Sequence, residues 1–214
     1  MSVEGRMIVV AGATSAAGVA VVEALLAGGA QVVATGRSAE GLVPLAAAGA
    51  QTEVSDATEL ADMTALADRL GAVDAVIPLV GGWRGGGGLA GQSDEDFAAL
   101  LPSLQALRAT SRAFDRLLQA SDAGRFAIVS STAVERPLAG GANYAAMKSA
   151  GEAWARAVAH GFAKAARDAE VPLRAASVIY RAKGPLDPNA LAHAVVALWD
   201  RGAAELNDQV VTLR

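Results

Sequence analysis

Short β-branched runs alternate with longer Ala- and Leu-rich segments along the whole of this 214-residue chain. Met7–Ala11, Gln31–Thr35, Gln51–Val54, Ala75–Val80, Arg125–Ser130, Leu173–Ile179 and Gln209–Leu213 read as strands. Ala16–Ala27, Glu40–Ala48, Glu59–Leu70, Asp94–Ala120, Asn143–Asp168 and Pro188–Arg201 read as helices, the fourth with Pro102 inside it and a bend expected there. Such alternation makes a parallel sheet with helices on both faces. Right-handed crossovers then wind it doubly. The expectation is one domain over residues 1–214 with seven strands, no repeat and no linker. With 53% hydrophobic but only 4% aromatic residues, its core must be built from small aliphatic side chains.

Charge and chemistry narrow the functions. The net charge of −4 and the absence of a basic run argue against nucleic acid or an anionic membrane as partner. There is no cysteine, which excludes disulfides, thiolate metal sites and a Cys nucleophile. His160 and His193 stand alone, so no metal site is expected. The apolar start "MIVVAG" is too short for a signal segment, and no apolar run reaches membrane-spanning length, so a cytoplasmic protein is expected.

"VVAGATSAAGVAVVEALL" joins the first strand to the first helix. Gly12 permits a tight turn and Gly18 a close helix–strand contact, with Ala16 between them at the helix start. Backbone N–H groups at this helix start favour a phosphate, and the hydroxyls of Thr14 and Ser15 add donors. The pattern reads as the turn of a Rossmann-type dinucleotide fold, with a plain βα turn as the alternative. The second strand ends in "VVATGRS" with no acid to take a ribose 2′-hydroxyl. Arg37, with Ser38 beside it, suits a 2′-phosphate, so NADP(H) is expected over NAD(H). Asp56 reads either as an adenine contact or as a turn residue.

Tyr144 and Lys148 in "ANYAAMKSAGE" lie one helical turn apart on one face. Ser131 precedes Tyr144 by thirteen residues. Taken with the glycine turn, "AIVSSTAVERPLAGGANYAAMK" resembles the catalytic stretch of the short-chain dehydrogenase/reductases, and the resemblance covers almost the whole chain. It implies that Tyr144 exchanges a proton with the substrate oxygen while hydride moves at carbon. Lys148 would lower the phenol pKa and hold the nicotinamide ribose, and Ser131 would bind the substrate oxygen. It also places Val80 and Gly81, in "PLVG" after the fourth strand, against the cofactor. Ser130 reads as a strand-end residue.

Three departures stand out. The usual Asn-Asn-Ala-Gly is replaced by "PLVG", the usual helix Asn is missing near Ser103 and Gln105, and "IYRAKGP" replaces the usual Pro-Gly. "VDAVIPLVGGWRGGGG" is similar to the dihydropteridine reductases, which also lack that Asn. That likeness makes Trp83 a flat wall for a planar ring, although it reads equally as a core or subunit-contact residue. The expected activity is hydride transfer to or from a small carbonyl, alcohol or quinonoid substrate. The alternative is a nucleotide-binding or interaction protein of the same fold without hydride transfer. The long helices, with Ala153, Ala157 and Ala165, lead to an expected homodimer or homotetramer.

Overall fold

The computed structural model describes residues 2–213. Seven parallel strands form one sheet in the order β3-β2-β1-β4-β5-β6-β7. They are β1 (Met7–Ala11), β2 (Gln31–Gly36), β3 (Gln51–Val54), β4 (Ala75–Pro78), β5 (Arg125–Ser131), β6 (Ala176–Ala182) and β7 (Gln209–Thr212). The order reverses between β1 and β4. At that point the crossovers diverge to opposite sides and leave a crevice at the carboxyl edge.

Residue alternation on the strands builds two cores. Ile8 and Val10 point to one face of the sheet, Val9 and Ala11 to the other. The first face is covered by α1 (Ala16–Ala27), α2 (Ala39–Ala47) and α6 (Pro188–Val196), with Leu25, Leu45 and Val195 buried. The second is covered by α3 (Leu60–Leu70), α4 (Asp94–Ala120) and α5 (Ala142–Asp168). Phe114, Phe126 and Phe162 are fully enclosed there, while Trp199 and Tyr180 are buried on the first face, so the scarce aromatics are divided between the two cores. Helix α4 runs through Pro102 as one unbroken helical segment.

Two expected elements shift. The sixth strand begins three residues later than Leu173 and runs on through Tyr180 and Arg181, because β5 extends to Ser131 and pairs it with Ala182. The last expected helix stops at Val196, and a 3₁₀ turn, Ala197–Trp199, and the short α7 (Ala203–Leu206) follow. Arg125 accounts for that stop. Its guanidinium donates to the carbonyls of Leu198 (2.9 Å) and Arg201 (3.1 Å), satisfying them without further helix.

Candidate active site

The first turn is shaped by close backbone approaches. Gly12 has φ +78°, and a Cβ there would lie 2.8 Å from Val80 Cγ2. A Cβ on Gly18 would lie 2.4 Å from the Ala13 carbonyl oxygen, so only glycine lets α1 start this close to β1. The amides of Gly12 and Ala13 donate to Thr35 O at 3.1 and 2.8 Å, tying the turn to β2. Ser15 caps α1, its hydroxyl accepting from Gly18 N at 3.1 Å. The amides of Ser15, Ala16 and Ala17 find no acceptor among the described residues. Ala16 is exposed at the helix start. A cradle that a Cβ would fill, opening on free amides, fits the phosphates of a dinucleotide.

Arg37 follows β2 and is exposed, with no carboxylate in ion-pair range among the described residues. Ser38 beside it caps α2, accepting from Gly41 N at 3.2 Å. Asp56 takes the turn role: its Oδ1 accepts from Thr58 N (2.9 Å) and Thr58 Oγ1 (2.8 Å). The Thr58 amide and hydroxyl, with a smaller effect of the Arg37 charge, outweigh burial and hold its carboxyl below the ordinary value.

Across the crevice, β5 ends at Ser131, whose Oγ accepts from Ala133 N at 3.1 Å in the turn that follows. Tyr144 and Lys148 lie in the first two turns of α5. The Lys148 ammonium donates to Val129 O at 2.8 Å and lies 5.6 Å from the Tyr144 ring centroid. Burial lowers the Lys148 pKa to about 8, against the pull of the Glu152 carboxylate. The expectation for Tyr144 is reversed in the free protein. Burial raises the phenol above its ordinary value, and the Ser131 hydroxyl only partly opposes it. The ammonium beside the ring therefore does not make Tyr144 acidic here.

Beside Lys148, α4 presents Ser103 and Leu104 and not an amide. A cavity of about 30 Å³ remains between them and Met147 and Gly151, room for about one water. Ser103 turns its hydroxyl back to Leu100 O at 2.7 Å.

The glycine-rich segment 81–92 is largely exposed but is tied to the loop at Gly140. Gly86 N donates to Gly140 O at 2.7 Å, and a Cβ on Gly85 would lie 2.5 Å from that same oxygen. Gln92 locks it: Nε2 donates to Gly140 O (3.1 Å) and to Gly86 O (3.0 Å), and Oε1 accepts from Asn143 N (3.1 Å). Gln92 thus caps α5 from another loop, fixing the turn that carries Tyr144. Trp83 and Leu138 sit in the two loops joined here and are 62% and 71% exposed, which sets aside the core reading of Trp83.

Sequence reasoning missed three residues. Gln92 is one. Glu152 and Arg181 are the others. Glu152 is buried, and its Oε1 accepts from Ser130 Oγ (2.6 Å) and Arg181 Nε (2.8 Å), while Oε2 accepts from Arg181 Nη2 (2.6 Å). Burial pushes this carboxyl up, but those donors and the nearby arginine charges hold it below its ordinary value. Ser130 is therefore more than a strand end. The one local signal was Glu152 itself, spaced a further four residues beyond Tyr144 and Lys148.

Fold and site together define a doubly wound nucleotide-binding protein with a Ser-Tyr-Lys cluster at its carboxyl edge. The family model of the short chain dehydrogenases matches residues 6–167, and the chain belongs to that family. Family membership makes it an oxidoreductase that binds a nicotinamide cofactor. No curated protein matches it. Among solved structures it is similar to a short-chain type dehydrogenase/reductase from Mycobacterium ulcerans, with TM-score 0.84 and 18% identity over 99% of this chain and 89% of the other. It is also similar to 3-ketoacyl-(acyl-carrier-protein) reductase from Brucella melitensis complexed with NADH, with TM-score 0.83 and 20% identity over 99% and 97%. A short chain dehydrogenase from Salmonella enterica serovar Typhi gives TM-score 0.81 and 20% identity over 98% and 96%. These likenesses establish the fold. Among the described residues no acidic or histidine cluster could hold a metal, and no helix is long and apolar enough to cross a membrane.

Proposed function

We propose that this protein is an NADP(H)-dependent oxidoreductase that reduces a small carbonyl or quinonoid substrate, or runs the reverse oxidation. The observation that carries this reading is the Lys148 ammonium lying 5.6 Å from the Tyr144 ring centroid and bound to the end of β5. A bound dihydronicotinamide supplies the hydride. The turn at Gly12–Gly18 holds its pyrophosphate, Val80 and Gly81 border it, and Lys148 binds its ribose. Arg37, with no carboxylate in ion-pair range among the described residues, meets the 2′-phosphate, with Ser38 beside it. Ser131 donates to the substrate oxygen and Tyr144 delivers the proton. A phenol raised above its ordinary value keeps its proton at neutral pH, which suits reduction. Exposed Trp83 and Leu138 favour a planar, partly apolar substrate, in line with the dihydropteridine reductase likeness.

Tyr144→Phe tests the reading. It should lower turnover by about 10²–10⁴-fold while leaving fold and dinucleotide affinity intact. Turnover at the wild-type rate would overturn it. Arg37→Gln should weaken NADPH binding and spare NADH; equal effects on both would remove the phosphate role. The second reading, a nucleotide-binding protein without hydride transfer, draws on the raised Tyr144 pKa and the Ser103–Leu104 segment where an Asn is usual. It predicts dinucleotide binding with no turnover across a carbonyl and dihydropterin panel.

For assembly we propose a homodimer through α4 and α5. An open groove of about 440 Å³ between them is lined by Ser111, Arg112, Asp115, Trp154 and Ala157, and exposed Ala153 and Ala157 allow close helix approach. A monomeric mass in light scattering would overturn this.

A further inference from the structure

Among the described residues, Arg125 and Glu152 are the only buried charged side chains. Other ion pairs, such as Arg69–Glu53, Arg156–Asp208 and Lys164–Asp168, have solvent-exposed members. Burying a carboxylate is costly, and a buried pair is a poor source of net stability compared with apolar packing. Glu152 nevertheless sits one helical turn beyond Lys148, and both its oxygens are taken by short charge-assisted bonds.

Its partners come from the ends of the two strands beside the proposed reacting groups. Ser130 adjoins Ser131 at the end of β5. Arg181 pairs with Ser130 in the β5–β6 register, so the two side chains share one face of the sheet. Arg181 also binds Glu135, in the loop between Ser131 and Tyr144. One guanidinium thus joins β6, that loop and α5. Lys148 has few charged neighbours. From α5 it faces Tyr144 and Glu152, and from β5 the Val129 carbonyl; Arg181 of β6 is committed to Glu152. β4 and α4 offer Pro78, Val80, Ser103, Leu104 and Leu107, none of them charged. Glu152 is the carboxylate that offsets the burial of its ammonium.

We propose that Glu152, held by Arg181 and Ser130, is a positioning residue: it locks α5 to the ends of β5 and β6 beside Lys148 and supplies the carboxylate that balances the Lys148 ammonium. The catalytic consequence rests on Tyr144 and Lys148 being the reacting pair. The charge consequence does not.

The chain has three lysines, Lys148, Lys164 and Lys183, so protein carrying ¹³C-labelled lysine gives three Cε signals to follow against pH. Loss of one signal in Lys148→Met assigns it. In the dinucleotide-free wild type the Lys148 signal should titrate near 8. In Glu152→Gln its proton affinity should fall about tenfold or more. Should that variant not fold, Glu152→Leu with Arg181→Met replaces the whole pair by apolar side chains, so neither member strands the other, while Lys148 still loses its carboxylate. A Lys148 titration unmoved in either folded variant overturns the proposal. With a carbonyl substrate turned over by the wild type, kcat should fall and its pH profile should shift by the same amount as the titration. Coincident pH profiles of wild type and variant would overturn the positioning role. A wild type without turnover on any substrate would instead sink the Tyr144 reading, and the titration would then decide the charge coupling by itself.

Discussion

Two arginines on neighbouring strands mark opposite ends of the sheet. Arg125, at the start of β5, is fully buried and meets only carbonyls: Leu198, Gly124, Arg174 and Arg201. Arg181, near the end of β6, meets only carboxylates, Glu152 and Glu135. At the amino edge, chain ends leave carbonyls without donors, and a planar group with five N–H bonds closes them. Burial and the Arg6 charge then lower the Arg125 pKa to about 10, a strain tolerated for the sake of the hydrogen bonds. At the carboxyl edge what matters is charge, because an ammonium has to be kept there. The same side chain closes the fold at one edge and arranges a site at the other.

The contrast can be broken by measurement. Arg125→Met should cost about 4 kcal/mol in urea unfolding, since it strands buried acceptors, while turnover per folded molecule stays near wild type. A loss of turnover without a loss of stability would reverse the assignment of the two edges. Lys148→Met should act oppositely. The folded ammonium gives up its proton near 8, whereas an unfolded lysine keeps it to about 10.5. Wild-type stability should therefore rise as pH climbs from 8 towards 10, and the burial penalty is fully present below 8. Removing the ammonium should add up to about 3 kcal/mol at pH 7 and flatten that rise. Unchanged stability in Lys148→Met would mean that the site exacts no cost from the fold. Gln92→Ala should lose about 1 kcal/mol and raise the KM for the carbonyl substrate with dinucleotide affinity unchanged. The smallest effect is expected from the paired replacement of Glu152 by Leu and Arg181 by Met, within about 1 kcal/mol of wild type. A loss as large as that of Arg125→Met would make the second arginine another fold clamp.

The first turn was legible at its glycines. Gly12 and Gly18 are needed because backbone approaches backbone, and a missing Cβ is visible in any sequence. The Tyr144–Lys148 side of the crevice was legible only along its helix. Tyr144 and Lys148 could be paired because four residues make about one turn. Glu152 and Arg181, separated by 29 residues, could not be, and neither could Gln92 and Asn143, separated by 51. The glycine-rich segment 81–92 read as low complexity, yet Gly85 is needed for close packing on Gly140, and Gly87 and Gly91 for packing on each other. The raised phenol of Tyr144 was hidden for a related reason: neighbours along the chain indicate an ammonium, but burial comes from other elements.

What this sequence determined by itself follows from short-range physics: strand and helix alternation, the parallel doubly wound sheet, the phosphate-favouring turn, and the Tyr-Lys face. Tertiary structure alone decided which groups lose water and which distant side chains meet. It put a buried carboxylate behind Lys148, moved β6 to end at Ala182, and stopped the last long helix where Arg125 takes its carbonyls. Local pattern is set by the helical and pleated repeat of the backbone. Desolvation and long-range pairing depend on strand order and register, which the chain acquires only on folding.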